Sequence, residues 1–174
     1  MRTSVQIFVF LPTHKMCEMR SNKTYTVEEA SSALEHFCAY QERCHKEVAE
    51  KLYKLKMIPE AQEQIIGHLI TEGFLNESRF AQSFARGKFR IKKWGKIRIT
   101  QELKRKDIST YNIKLGLKEI DEELYILTLQ HLIQKKQNSL KETDVFKKKK
   151  KLVDYLLRQG YEATLIFEHL PKLD

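Results

Sequence analysis

Residues 99–117, ITQELKRKDISTYNIKLGL, decide the fold because they recur 53 residues later as 152–170, LVDYLLRQGYEATLIFEHL. Ile99, Leu103, Ile108, Ile113 and Leu117 fall on Leu152, Leu156, Tyr161, Ile166 and Leu170. A shift of 51 residues in the other direction gives Val48, Leu52, Met57, Gln62 and Ile66, where only Gln62 breaks the apolar set. Self-similarity at a fixed spacing of roughly 20–50 residues marks stacked supersecondary units that share a continuous core. The expected fold is all-α, three tandem three-helix repeats forming an elongated, curved array. The repeats are placed at 24–75, 76–120 and 121–174, after a leader at 1–23.

Local signals support helices on either side of the repeat. Thr26 and Glu29 have capping-box spacing, and Ala30, Leu34, Phe37 and Cys38 follow at helical spacing, giving a helix over 27–43. Val48, Leu52 and Leu55 mark a second helix. Pro59 opens a third with Gln62, Ile66 and Leu69 inward and Ile65 alongside, and Gly73 is placed to end it. Asn76 is the N-cap of the next, whose inward stripe is Phe80, Phe84, Gly87 and Ile91. Trp94-Gly95 breaks that helix. The alternation over 88–99 fits an amphipathic strand on pattern alone, but its place in the repeat favours helix–turn–helix. Ser109 caps a helix with Ile113, Leu117 and Ile120 inward. The acids Asp121, Glu122 and Glu123 suit a helix N-terminus. Leu124, Leu127, Thr128 and Leu132 form that helix's stripe, and 134–143 reads as loop or frayed helix. Phe146, Val153, Leu156 and Leu157 belong to a helix ended by Gly160, and Pro171 stops the last one.

The 174 residues, 41% of them hydrophobic, allow a substantial core, and six glycines and three prolines disfavour a turn-rich β fold. Three cysteines, Cys17, Cys38 and Cys44, form no disulfide framework and point to a reducing compartment, so a cytoplasmic location is expected. The apolar run Val5 to Leu11 is too short to span a bilayer and lacks a signal-peptide cleavage pattern, so no membrane association is expected. With Met16 and Met19 following, residues 1–23 are read as a mobile leader, or one not native to the fold.

Charge is concentrated in the middle repeat. From Arg79 to Lys106 eleven Lys or Arg face one acid, Glu102, a surplus of ten; the whole chain carries +9, so the remainder carries −1. A solubilising face normally mixes both signs, and this one does not. On a helix from Glu77, the residues Arg79, Arg86, Arg90 and Lys93 line one face, about 100° from the Phe80–Phe84–Ile91 stripe. Lys88, Lys92, Lys96, Arg98, Lys104 and Arg105 add charge near the turn and along the next helix. These ten residues are the candidate site for DNA or another polyanion. Trp94 reads as a core closer, with base stacking as the alternative. Lys147 to Lys151 circle their helix completely and read as a solvated start.

Catalytic and cofactor chemistry is not indicated. His14, His36, His45, His68, His131 and His169 are scattered, and no CxxC or HxxxH spacing occurs, although Cys38 and His45 are seven apart and could share a helix face. Gly87 and Gly95 lack the context of a phosphate-binding loop. No nucleophile–base pair or paired carboxylates stand out. The chain reads as a non-enzyme without metal or cofactor.

The segment Gly73-Phe-Leu-Asn-Glu-Ser-Arg-Phe-Ala81, with Arg98-Ile-Thr-Gln-Glu-Leu103 and Lys104-Arg-Lys-Asp-Ile108 after it, resembles the RecX family of bacterial recombination regulators. Gly73, Leu75, Asn76, Glu77, Arg79, Phe80, Ala81, Gly95, Arg98, Ile99 and Leu103 carry the match, which covers about residues 28–170. Two departures stand out: Asp107 replaces a usual glycine, and Asn76 replaces the commoner Asp. The chain is expected to be a monomer, and the resemblance implies that it binds the RecA recombinase filament on single-stranded DNA. It further implies restraint of filament extension, ATP hydrolysis, strand exchange and co-protease activity in DNA repair and the SOS response. A helix-turn-helix regulator of duplex DNA, or a helical scaffold for an acidic protein, are the alternatives.

Overall fold

Capping chemistry sets where the helices begin. In the computed structural model, which describes residues 24–170, nine helices and no strands occur among the described residues. The leader and Pro171 lie outside that range. Helix α1 (Val27–Tyr40) opens with Thr26 and Glu29 exchanging hydrogen bonds, and it stops three residues short of the expected Arg43. It is followed by α2 (His45–Lys54) and α3 (Pro59–Thr71), the latter ended by Gly73 at φ 73°. The middle unit is α4 (Glu77–Lys92), α5 (Lys96–Arg105) and α6 (Thr110–Leu117), with Asn76 and Ser109 capping α4 and α6. The third unit is α7 (Glu122–Ser139), α8 (Val145–Gln159) and α9 (Ala163–His169). Helix α7 runs through most of the expected loop at 134–143, and Leu140 packs onto the core beyond its end.

The internal repeat is visible as one turn built three times. After the second helix of each unit, Lys56, Asp107 and Gly160 occupy positive φ, at 59°, 60° and 91°. The next residue, Met57, Ile108 or Tyr161, donates its amide back to Leu52, Leu103 or Leu156, each at 3.2 Å. This is a left-handed helix cap, which satisfies carbonyls the helix end leaves unpaired and drops an apolar side chain inward. Asp107 thus adopts the conformation that a glycine would take without strain.

Consecutive units join by a repeated head-to-tail contact. Gly95 at the start of α5 donates to the Gln159 carbonyl at 2.8 Å, and Ile97 donates to the Gly160 carbonyl at 3.0 Å. One unit earlier, Cys44 at the start of α2 is fully buried in the core of the second and third units. Beside it Lys46 reaches the Arg105 carbonyl and the Asp107 carboxylate, both at 2.9 Å. The first unit has its own core around Leu34, Val48, Leu52, Ile65 and Leu69, while the other two share one.

Several inward stripes are rotated from their expected positions. On α4 the buried residues are Phe80, Ala81, Ala85 and Phe89; Phe84 is only half-buried and Ile91 is 78% exposed. Close approach explains this, since a Cβ on Gly116 of α6 would lie 2.7 Å from the Ala81 carbonyl oxygen. Only small residues fit such a crossing. On α7 Tyr125, Thr128, Leu129, Leu132 and Ile133 are buried while Leu124 and Leu127 are exposed. Tyr125 wins the inward position because its hydroxyl accepts from the Lys96 amide at 3.0 Å and donates to Glu162 at 2.8 Å. On α3 the buried line is Ala61, Ile65 and Leu69, because Gln62 turns aside to donate to the Met57 carbonyl. Phe146 and Leu157 of α8 are also exposed, leaving Leu152 and Leu156 inside.

Candidate functional site

Helix α4 is sixteen residues long and presents two different surfaces to solvent. Opposite the Ala81–Ala85–Phe89 line lie Arg79, Arg86, Arg90 and Lys93, all exposed. The side between carries Phe84, Gly87, Lys88 and Ile91, which with Gln41, Glu42, Glu47 and Lys106 line a cleft of about 380 Å³ between the first and second units.

The structure divides the ten candidate cations. Arg79 pairs with Glu42 and donates to the Gly73 and Phe74 carbonyls at 2.8 and 3.4 Å, so it braces the junction between units. Arg86 pairs with Glu119 at 3.2 Å, Lys96 with Glu122, and Arg105 with Glu102 one turn before it. Arg98 lies 4.2 Å from the Trp94 ring centre and donates to the Arg158 carbonyl at 3.2 Å. Lys88 lies over two rings, 5.1 Å from Phe84 and 5.2 Å from Trp94. Trp94 is therefore a half-buried core residue that gathers one cation from α4 and one from α5. Arg90, Lys92, Lys93 and Lys104 are exposed and form no ion pair among the described residues. These four are the cations most available to a polyanion.

Lys93 is also held by backbone chemistry. It ends α4 at φ 55° and its carbonyl accepts the Tyr161 hydroxyl at 3.3 Å. Its side chain is thus carried on an anchored backbone.

Lys106, outside the expected set, is a structural cation. It donates to Glu47 at 2.8 Å across the first junction. Burial works to raise the Glu47 carboxyl, but the Lys106 bond, the Cys44 amide and the charges of Lys106 and Arg43 outweigh it and hold the carboxyl below its ordinary value. The signal that could have found this pair is the repeat alignment, which sets α2 against the turn after α5. Cys38 and His45 do not share a helix face, since they lie on α1 and α2. Both Cys38 and Cys44 are buried, and desolvation raises their thiols.

Residues 76–117 match the model of the second three-helix domain of RecX, and residues 124–170 match that of the third. The regulatory protein RecX of Clostridium acetobutylicum is 32% identical over 156 residues, which cover 87% of this chain and 70% of the relative. That of Bacillus cytotoxicus is 28% identical over 130 residues, covering 75% of this chain and 48% of the relative, so the match spans about half that protein's length. A crystal structure of RecX from Lactobacillus salivarius superposes with a TM-score of 0.73 at 24% identity, covering 82% of this chain and 93% of that one. A second crystal structure of regulatory protein RecX gives 0.75 at 20% identity, over 82% and 71% of the two chains. With two domain models covering half the chain and a relative at 32% identity, the chain belongs to the RecX family of regulatory proteins.

Proposed function

We propose that this chain restrains the RecA recombinase filament on single-stranded DNA, lowering its ATP hydrolysis, strand exchange and co-protease activity. The observation that carries the reading is the basic second unit in a RecX-family array, with Arg90, Lys92, Lys93 and Lys104 exposed and unpaired among the described residues. A tandem array offers a long surface that follows an extended partner, and uncompensated cations suit the phosphates or acidic loops along such a filament. The chain acts as a cytoplasmic monomer, without catalysis or cofactor, during recombination and the SOS response. Among the described residues no helix is long and apolar enough to cross a membrane.

The test is RecA-dependent ATP hydrolysis on single-stranded DNA as this protein is titrated in. Substoichiometric slowing is expected, because one molecule on a filament affects many protomers. Slowing that begins only when the DNA lattice is saturated would mean plain competition for DNA.

A further inference from the structure

We propose that the cleft between the first and second units binds an acidic segment of a protein partner, with one apolar side chain of that segment seated between Phe84 and Ile91. The filament-regulator reading supplies the protein partner on which this inference rests. Ile91 stands 78% exposed beside half-buried Phe84 and Gly87, an apolar strip in an otherwise charged surface. The volume, about 380 Å³, suits one bulky side chain with its flanking backbone.

Charge selects the occupant. The two carboxylates in the wall already face cations, Glu42 with Arg79 and Glu47 with Lys106, although one Glu42 oxygen is buried without a hydrogen-bond partner. Among the described residues Lys88 and Lys92 form no ion pair, and they leave the rim positive. A peptide can set its carboxylates against these lysines alone. A nucleic-acid strand repeats its charge at every residue and would bring phosphate beside Glu42 and Glu47 as well. Base stacking has no open ring here, because Lys88 Nζ lies 5.1 Å from the Phe84 ring centre and Phe80 packs against that ring at 5.7 Å. The exposed Ile91 side chain supplies an aliphatic contact instead, and that suits a leucine side chain.

Gly87 makes the cleft testable without harm to the fold, since a Cβ there meets no atom within 4 Å. The full ¹⁵N-labelled chain is titrated with a synthetic hexapeptide, Leu-Phe flanked by two acidic residues on each side. Saturable shifts at the Gly87 and Ile91 amides are expected, with affinity weakened roughly tenfold by Lys88→Gln plus Lys92→Gln. Gly87→Leu should abolish the shifts while the spectrum elsewhere is unchanged. Absence of saturation at millimolar peptide, persistent binding by a folded Gly87→Leu variant, or the same shifts with a thymidine tetranucleotide and not the peptide would overturn the proposal. If Gly87→Leu blocks the peptide yet slows RecA as the unaltered protein does, the inference about the partner fails and the regulator reading stands. Saturable peptide binding by a protein that leaves RecA unaffected would uphold the cleft and remove that reading.

Discussion

Gly95 and Gly160 touch backbone to backbone across the junction of the second and third units: a Cβ on Gly95 would lie 2.1 Å from the Gly160 carbonyl oxygen. A Cβ on Gly160 would in turn lie 2.3 Å from that of Arg98, at a backbone φ of 91° that L side chains resist. Together with the Gly95–Gln159 and Ile97–Gly160 hydrogen bonds, this contact fixes how the third unit hangs on the second.

Gly95→Ala and Gly160→Ala should each destabilise the protein by about 3 kcal/mol, through overlap at Gly95 and through overlap plus backbone strain at Gly160. Urea denaturation followed by circular dichroism reads the loss. A change below about 0.5 kcal/mol in either variant would show that the junction is looser than described.

The other two copies of the turn offer the opposite experiment. Lys56 and Asp107 hold φ near 60° with a side chain present. Asp107→Gly should relieve left-handed strain worth roughly 0.5–1 kcal/mol. The gain should be partly offset, because the substitution also removes the exposed 2.9 Å pair with Lys46. Thermal melts of the variant beside the unaltered protein would read the balance of the two effects.

Tyr125 and Tyr161 stack at 5.0 Å in the core, and burial pushes both phenols well above the ordinary value of 10.0. The folded state therefore keeps protons that the unfolded chain releases, so this contribution is intact below pH 10.0 and is lost above it. Stability should fall by about 1.4 kcal/mol per pH unit for each tyrosine. Tyr125→Phe should lose about 1–2 kcal/mol at neutral pH, because the Lys96 amide and Glu162 lose their partner. It should also shed its share of the alkaline slope. Denaturant midpoints measured across alkaline pH check both effects.

These features differ in how far the chain's chemistry announces them. The three turns were legible because an apolar residue recurs after each, at Met57, Ile108 and Tyr161. The α4 stripe was misplaced because hydrophobicity ranks Phe84 and Ile91 above Ala81 and Ala85. A close helix crossing ranks by size instead, and Gly116 is the only sign of it in a distant segment. Tyr125 displaced Leu124 for a reason equally remote, the Lys96 amide and Glu162. Within the basic unit, composition located the charge but not its partners. Glu42, Glu119 and Glu122, which engage Arg79, Arg86 and Lys96, come from outside the segment whose charge was counted.

That partition sharpens the test of the basic face. Arg79→Gln should perturb the fold, since Glu42 would lose its counter-ion and one of its carboxylate oxygens is already buried without a partner. The informative variant replaces Arg90, Lys92, Lys93 and Lys104 by Gln together. Each position is exposed, so stability should move by less than about 0.5 kcal/mol per residue. The control replaces Lys147 to Lys151, where Lys147 and Lys151 already face Asp144 and Glu142.

The most direct measurement is RecA ATP hydrolysis on single-stranded DNA with these two variants, across a salt series. The Arg90–Lys104 variant should lose most of its inhibition. If its cations meet phosphate, the slope of log affinity against log salt should shrink by roughly 0.7 for each contact removed. The Lys147–Lys151 variant should inhibit nearly as the unaltered protein does. Inhibition abolished by the second variant and retained by the first would contradict the assignment of the contact surface to the middle unit.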